Sequence, residues 1–95
     1  MEECAVRQRR RIVGLDGDAI DLVYGLVMRE TRIEGMIVES YGIRIHADLG
    51  RRTETSTVWD ISPDLKAVEA LLELLCRMEV TPITLQDIVC DYIEK

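Results

Sequence analysis

The order of periodicities along the chain predicts an α+β fold: a four-stranded antiparallel meander followed by two C-terminal helices packed on one face. From about residue 8 to residue 60, apolar and polar residues alternate with period two, whereas the apolar residues after Ser62 recur at helical spacing. The connections between the predicted strands are short, and parallel neighbours would need long crossovers. A run of strands followed by a run of helices is typical of an α+β domain.

The first two strands are predicted from a turn signal between two apolar runs. The pair Asp16-Gly17 follows the run Ile12–Leu15, and an Asp-Gly pair accommodates the positive φ angles of a tight hairpin. The returning strand spans residues 19–29 and has large side chains at every second position, namely Leu22, Tyr24, Leu26 and Met28. We expect the polar tetrapeptide at residues 30–33 to turn the chain again.

A third strand is predicted from residue 37 to residue 49. One parity of this segment is apolar, with Ile43 and Ile45 at its centre, and the other parity is polar, so the strand has one dry face and one wet face. Gly42 within it predicts a bend or bulge, because glycine packs no side chain and relaxes the backbone. Gly50 ends the strand, and the threonine-rich segment 53–59 returns as a fourth strand.

Two helices are predicted near residues 64–78 and 85–93. Ser62 is expected to cap the first helix, Pro63 to occupy its first position and Asp64 to lie near the positive end of its dipole. Thr84 is expected to cap the second helix, with Asp87 three residues later. The side chains expected to form the core against Ile43 and Ile45 are Leu65, Val68, Leu72, Leu75, Leu85, Ile88 and Tyr92.

The size and composition predict a single domain over residues 1–95, with residues 1–7 as a flexible arm. The chain is 47% hydrophobic and 32% charged and contains no Phe, so its core must be largely aliphatic. It has no apolar run of the roughly 20 residues that a bilayer crossing needs, and its first residues lack the apolar region of a secretory leader. The odd set Cys4, Cys76 and Cys90 forms no disulfide framework, which indicates a reducing cytoplasm.

The charge of the chain disfavours broad nucleic-acid binding. The net charge is −6, and residues 63–95 carry three basic against seven acidic groups. The basic segment Arg-Gln-Arg-Arg-Arg at residues 7–11 is interpreted as a solvated arm or an edge strand. The alternative is a DNA-binding regulator that uses this segment and the C-terminal helix pair. The second helix would then offer Gln86, Asp87 and Asp91 to DNA, two of which are anionic.

The residues with chemical reactivity predict no catalytic site, no metal site and no cofactor. His46 is the single histidine, and it is expected on the wet face of its strand rather than beside a nucleophile. Cys76 and Cys90 are interpreted as half-buried core thiols. The acidic loop at residues 16–21 lacks the later glutamate of a calcium loop and is better explained as a hairpin turn. A small enzyme is the less favoured alternative.

The sequence resembles a family of small bacterial proteins, about a hundred residues long, of unknown function. The motifs that carry the resemblance are Tyr-Gly-Ile-Arg-Ile at 41–45, Ile-Ser-Pro-Asp at 61–64, the leucine-rich segment 68–75 and the segment 80–93 with its Thr-Pro helix start. These motifs cover most of residues 41–93. Relatives often have His where this chain has Thr84, so the resemblance does not imply for this chain a site that depends on that histidine. The resemblance implies no activity, substrate or cofactor.

One face of the predicted sheet is left without helices, and this face is the predicted interaction surface. Its candidate residues are Val23, Val27, Met36, Val38, Arg44 and His46. Exposed apolar patches mark interfaces, and pairing one patch on two subunits gives a two-fold dimer. We therefore expect a cytoplasmic protein-interaction or regulatory module whose partner is a protein or a second copy of itself, whereas a small-molecule ligand cannot be inferred. The prediction depends on register, because a slip of one residue would turn Met36 and Val38 inward.

Overall fold

The computed structural model describes residues 2–14 and 16–93, and it confirms the predicted fold class. The strands are β1 (Glu2–Val13), β2 (Ala19–Ile33), β3 (Met36–Asp48) and β4 (Thr53–Ser62), and the helices are α1 (Leu65–Arg77) and α2 (Pro82–Ile93). The strands form one antiparallel sheet in the order β1-β2-β3-β4. Both helices follow the sheet in sequence and pack on the same face of it, which we call the inner face.

The core lies between the inner face and the two helices. The strand residues that enter it are at the alternating positions that the sequence predicts to be buried. Leu22, Tyr24 and Leu26 of β2 and Ile43 and Ile45 of β3 are all buried. The helices add a second set of buried residues, namely Val68, Leu71, Leu72, Leu75, Cys76, Leu85 and Val89. Alternation with period two sends these strand residues to one side, so hydrophobic burial fixes both the face and the register.

The turn between β2 and β3 differs from the prediction. Residues 30–33, expected to turn the chain, belong to β2 and pair with residues 36–39 of β3. The turn lies at Glu34 and Gly35, which both have positive φ, 51° and 80°. Two consecutive residues in this region are typical of a type I′ turn, whose twist matches that of the flanking strands. The Asp16-Gly17 turn is confirmed, with the Gly17 N–H donating to the Gly14 carbonyl, and Leu15 lies outside the described residues.

The paired ends of β2 and β3 extend beyond the rest of the sheet as a hairpin arm, residues 30–40. The described pairing of β1 reaches Arg29, opposite Glu2, and the pairing of β4 with β3 ends at Tyr41, opposite Ser62. The principal extents of the protein are 50 × 29 × 18 Å, and its radius of gyration is 14.1 Å. A compact domain of this length would have a radius of gyration of about 12 Å, so the arm makes the molecule elongated.

Gly42 marks an irregularity in the sheet, as the sequence predicts. Tyr41 pairs with Ser62 and Ile43 with Val58, so β4 takes four residue steps where β3 takes two. The extra residues of β4 pass close over Gly42. A Cβ atom there would lie 2.1 Å from the Val58 carbonyl oxygen. Only glycine fits this close backbone approach.

The helix starts were predicted with three residues, Ser62, Pro63 and Thr84, in the wrong roles. Asp64, rather than Ser62, caps α1 and accepts hydrogen bonds from the Lys66 and Ala67 N–H groups, while the Ser62 hydroxyl accepts from the Asp64 N–H. Pro63 therefore precedes the helix. At α2, Pro82 is the first helical residue, so Thr84 lies inside the helix and is not its cap. Neither described helix combines the length and apolar character that a bilayer crossing requires.

Three expectations about burial and order were wrong. Tyr92, predicted in the core, is 49% exposed and lies in the last turn of α2. Cys90 is exposed and Cys76 is buried, so only one of the two thiols lies in the core. Residues 2–7, expected in a flexible arm, lie in β1 and pair with β2, and Met1 lies outside the described residues.

Candidate functional site

The outer face of the sheet, opposite the two described helices, contains a concavity of about 420 Å³. All four strands contribute side chains or backbone to it. Its lining consists of Cys4, Val6, Val23, Gly25, Arg44, His46, Thr55 and Thr57. Protein sites for ligands are concave and mostly apolar, with a few polar groups that fix orientation, and this concavity has that composition.

Arg44 is the cationic group of the concavity. Its Nε donates a hydrogen bond of 2.9 Å to the Thr57 hydroxyl on the neighbouring strand. The guanidinium carbon also lies 5.9 Å from the centre of the Trp59 ring, a cation–π distance. Among the described residues its two terminal amino groups have no hydrogen-bond or ion-pair partner in the protein. These N–H groups form the planar fork that binds a carboxylate in two places.

His46 lies two residues further along β3 and therefore on the same face. Its Nδ1 is 2.7 Å from the Thr55 hydroxyl oxygen, so β4 positions the imidazole as it positions the guanidinium. Both side chains are half-buried. Residues two apart on a strand are separated by about 7 Å, so the two polar groups are close enough to contact one ligand.

The floor and the far wall of the concavity are apolar. Gly25 pairs with Arg44 on one side and with Val6 on the other, and it has no side chain to fill the space between them. A Cβ atom at Gly25 would lie 3.2 Å from the Cys4 sulfur, so a larger residue would narrow the concavity. Val6 is 52% exposed and forms part of the wall on β1. A ligand of matching shape would therefore contact hydrocarbon on one side and the Arg44 guanidinium with the polar His46 ring on the other.

Among the described residues, the contacts of the concavity place no hydrogen-bonded base next to its thiol. Cys4 and His46 both line the concavity, but within the described chain no hydrogen bond joins them, and the Nδ1 of His46 is engaged by Thr55. A thiol nucleophile needs a base within hydrogen-bonding distance. Residues 2–14 and 16–93 contain no group of three His, Cys, Asp or Glu side chains placed to hold a metal ion.

The six candidate interface residues lie on the outer face, at two separate places. Val23, Arg44 and His46 line the concavity. Met36 and Val38 lie on the hairpin arm, where Met36 is 68% exposed. Val27 has the same parity but is fully buried. A Cβ at Gly42 would lie within 3.1 Å of Val27 and 3.0 Å of the Trp59 backbone, so the crossing of β4 covers this valine.

The basic segment at residues 7–11 is part of the edge strand β1, and its side chains go to both faces. Arg7 and Arg10 form ion pairs with the helix-side carboxylates Glu69 and Glu79. Arg11 forms an ion pair of 2.7 Å with Asp21 on the outer face, and this pair raises the pKa of Arg11 through the hydrogen bond from its guanidinium. The five residues therefore do not present one continuous cationic surface.

Several residues of the concavity were missed by reasoning from the sequence, namely Cys4, Val6, Gly25, Thr55 and Thr57. The alternation of Thr53, Thr55 and Thr57 was a usable signal, because it places three hydroxyls on one face of the fourth strand. Cys4 and Val6 carried no comparable signal, since they lie in a segment expected to be unpaired.

Comparison with known proteins gives one match. The model of a family of unknown function, DUF6514, matches residues 5–95 of this chain. No curated protein and no solved structure matches.

Proposed function

The chain belongs to the DUF6514 family, which has no assigned function, and from its geometry we propose that it is a non-catalytic protein-interaction module of regulatory type. In this proposal the concavity on the outer face binds a protein segment that combines a carboxylate with apolar side chains. The observation that carries it is the terminal fork of Arg44, which faces an apolar concavity without a carboxylate from the described chain.

Charge supports an acidic ligand group. The protein has a net charge of −6, yet the polar corner of the concavity contains Arg44 and His46 and no acidic side chain among its lining residues. Arg44 contributes one full positive charge, which matches a single carboxylate. A guanidinium and a carboxylate form two parallel hydrogen bonds, stronger than bonds between neutral groups.

The shape and the wall residues support a peptide segment as the ligand. The concavity opens on a sheet face, and its apolar lining from Val6 to Gly25 would accept a side chain next to the carboxylate. Met and Arg are enriched in protein interfaces, and isolated charges there fix the register of the partner. The three thiols are free, as expected for a protein of the reducing cytoplasm, where we place it.

The test uses a small probe with the chemistry of such a segment. We expect N-acetylleucine, which has a carboxylate beside an apolar side chain, to shift the backbone amide NMR signals of Gly25, Arg44 and His46. N-acetylleucine amide has the same apolar group without the charge. Its affinity, measured from the same signals in a titration, should be at least about tenfold lower, the loss expected for one charge-assisted pair.

The variant Arg44→Gln should weaken N-acetylleucine binding to a similar extent. Arg9→Gln is the matched control, because Arg9 lies on the outer face of β1 but does not line the concavity. Dispersed NMR spectra of both variants would show that they are folded. Equal binding of the acid and the amide, or equal binding by Arg44→Gln and the wild type, would refute the proposal.

A further inference from the structure

We propose that the segment bound in the concavity is the tip of the hairpin arm of a second copy of this chain. The inference rests on the proposed function, because it names the partner for the same concavity. Each subunit has one concavity and one arm on the same face, so two copies can exchange arms and satisfy both sites.

The tip has the required chemistry. Glu34 occupies the turn with a positive φ of 51°, and its side chain is exposed. The two residues beside the turn, Ile33 and Met36, pair with each other on the outer face and are 52% and 68% exposed. A carboxylate flanked by two apolar side chains is the complement of the cationic corner and the apolar wall of the concavity.

The distance between the tip of the hairpin arm and the concavity suits a two-fold arrangement of two copies. Along β2, the tip and Gly25 are nine residues apart, which is about 30 Å in an extended strand. The midpoint lies at the pair Arg29 and Ser40. A two-fold axis that lies just outside the outer face at this midpoint, parallel to the sheet and perpendicular to the strands, places the arm of each copy over the concavity of the other. Such an interface is isologous and closed, so it stops at two copies.

Charge explains why the contact would be specific. Two copies with a net charge of −6 each repel one another in most orientations. The exchange of arms brings Glu34 of one copy to Arg44 and His46 of the other, and it does so twice. Opposite charges placed in this way fix the register of an interface and exclude other pairings.

The experiment measures the mass of the purified full chain in solution by light scattering during size-exclusion chromatography. We expect a dimer for the wild type. We expect Glu34→Arg and Arg44→Glu to raise the dimer dissociation constant at least about tenfold each, because each places like charges together in both contacts. Glu73→Arg, an exposed reversal on α1, is the matched control and should leave the dimer unchanged.

Mixing the two charge-reversal variants gives the most specific result. In a mixed dimer, the arm of the Arg44→Glu chain still has Glu34 and contacts the unchanged Arg44 of the other subunit. The arm of the Glu34→Arg chain contacts the carboxylate that Arg44→Glu introduces. Both contacts therefore regain opposite charges, and the mixture should form dimers at concentrations where each variant alone is monomeric. A wild-type monomer at high concentration, or a mixture that remains monomeric, would overturn the inference.

This outcome can be separated from a failure of the proposed function. In a wild-type dimer the arm would compete with N-acetylleucine for the concavity, so binding is measured with Glu34→Arg, which changes the arm and leaves the concavity intact and should still bind N-acetylleucine. If the wild type is a monomer that binds N-acetylleucine through Arg44, the self-association is wrong and the proposed function stands. If neither dimer formation nor N-acetylleucine binding is observed, both are wrong.

Discussion

The hydroxyl of Tyr24, in the centre of β2, donates a hydrogen bond of 2.8 Å to the backbone carbonyl of Val80, between the two helices. The two residues are 56 positions apart in the chain. Tyr24 is fully buried and Val80 is 5% exposed, so the bond lies within the core. It ties the connection between α1 and α2 to the inner face of the sheet, where Tyr24 is the largest fully buried side chain.

Replacing this tyrosine should destabilise the protein without changing its fold. In Tyr24→Phe the ring still fills the core, but the buried Val80 carbonyl loses its donor. We expect the free energy of unfolding to fall by about 1–2 kcal/mol, the cost of an unsatisfied buried acceptor. Urea unfolding monitored by circular dichroism measures this loss. A variant as stable as the wild type would show that water reaches the Val80 carbonyl.

Tyr24 should also make the protein sensitive to alkaline pH. Burial, followed by the electrostatic effect of the nearby Cys76, raises the pKa of Tyr24 to about 12 from an ordinary value of 10.0. The folded state therefore favours the protonated phenol, and its stabilising contribution is complete below about pH 10 and lost as the pH rises toward 12. The difference in stability between the wild type and Tyr24→Phe should shrink over this range. A constant difference would contradict the proposed burial effect.

Gly42→Ala should be the most damaging single methyl addition to the sheet. Its Cβ would lie 2.1 Å from the Val58 carbonyl oxygen, and both groups belong to paired strands that cannot move apart without losing hydrogen bonds. We expect a loss of about 3 kcal/mol or more, in the range of severe core overpacking. Gly25→Ala is the control, because its nearest neighbour is the Cys4 sulfur at 3.2 Å. Similar melting temperatures for the two variants would refute the steric argument.

The ion pair between Arg29 and Asp60 should contribute a modest, acid-sensitive stabilisation. Arg29 donates to both carboxylate oxygens of Asp60, and its guanidinium carbon lies 4.8 Å from the centre of the Trp59 ring. The hydrogen bond from Arg29 is the main reason that the pKa of Asp60 is lowered from 3.8. The side chains are 37% and 34% exposed, so solvent limits the contribution to about 1 kcal/mol or less.

Asp60→Asn tests this contribution, because asparagine tolerates the positive φ of 55° at this position. A lowered pKa in the folded state means that the stabilisation is present above about pH 4 and is lost as the pH falls further. The wild type should therefore be more stable than Asp60→Asn at neutral pH, and the two should converge as the pH falls below the lowered pKa of Asp60. Thermal unfolding at several pH values measures this. Equal stability at neutral pH would contradict the prediction.

Glu79→Gly should stabilise the end of α1. Glu79 has a positive φ of 56°, and the Glu79 and Val80 N–H groups donate to the carbonyls of Cys76 and Leu75, the pattern of a helix end that usually contains glycine. Glycine relieves about 1 kcal/mol of strain and removes only an exposed ion pair with Arg10. Glu79→Ala removes the same ion pair without relieving the strain, so it should be less stable than Glu79→Gly. The reverse order of melting temperatures would show that the ion pair dominates.

Local patterns in the sequence predicted the class of each element and the face on which its apolar residues lie. Alternation placed Tyr24 and Ile43 inward and Arg44 and His46 outward, because side chains on a strand change sides at every residue. The helical spacing after Ser62 likewise predicted Val68 and the other buried residues of α1. These features depend on neighbours a few residues apart, and local periodicity is sufficient to predict them.

The features that the sequence did not predict depend on contacts between residues distant in the chain. The turn lies at Glu34 and Gly35 and not at residues 30–33, because the ladder between β2 and β3 continues through residues 30–33. The polarity of these residues alone does not indicate that pairing. Val27 is buried because the irregular end of β4 crosses its face at Gly42. The concavity unites Cys4 of the first strand with Thr57 of the fourth. Such proximity arises only when all four strands pair, so the spacing of residues along the chain cannot specify it.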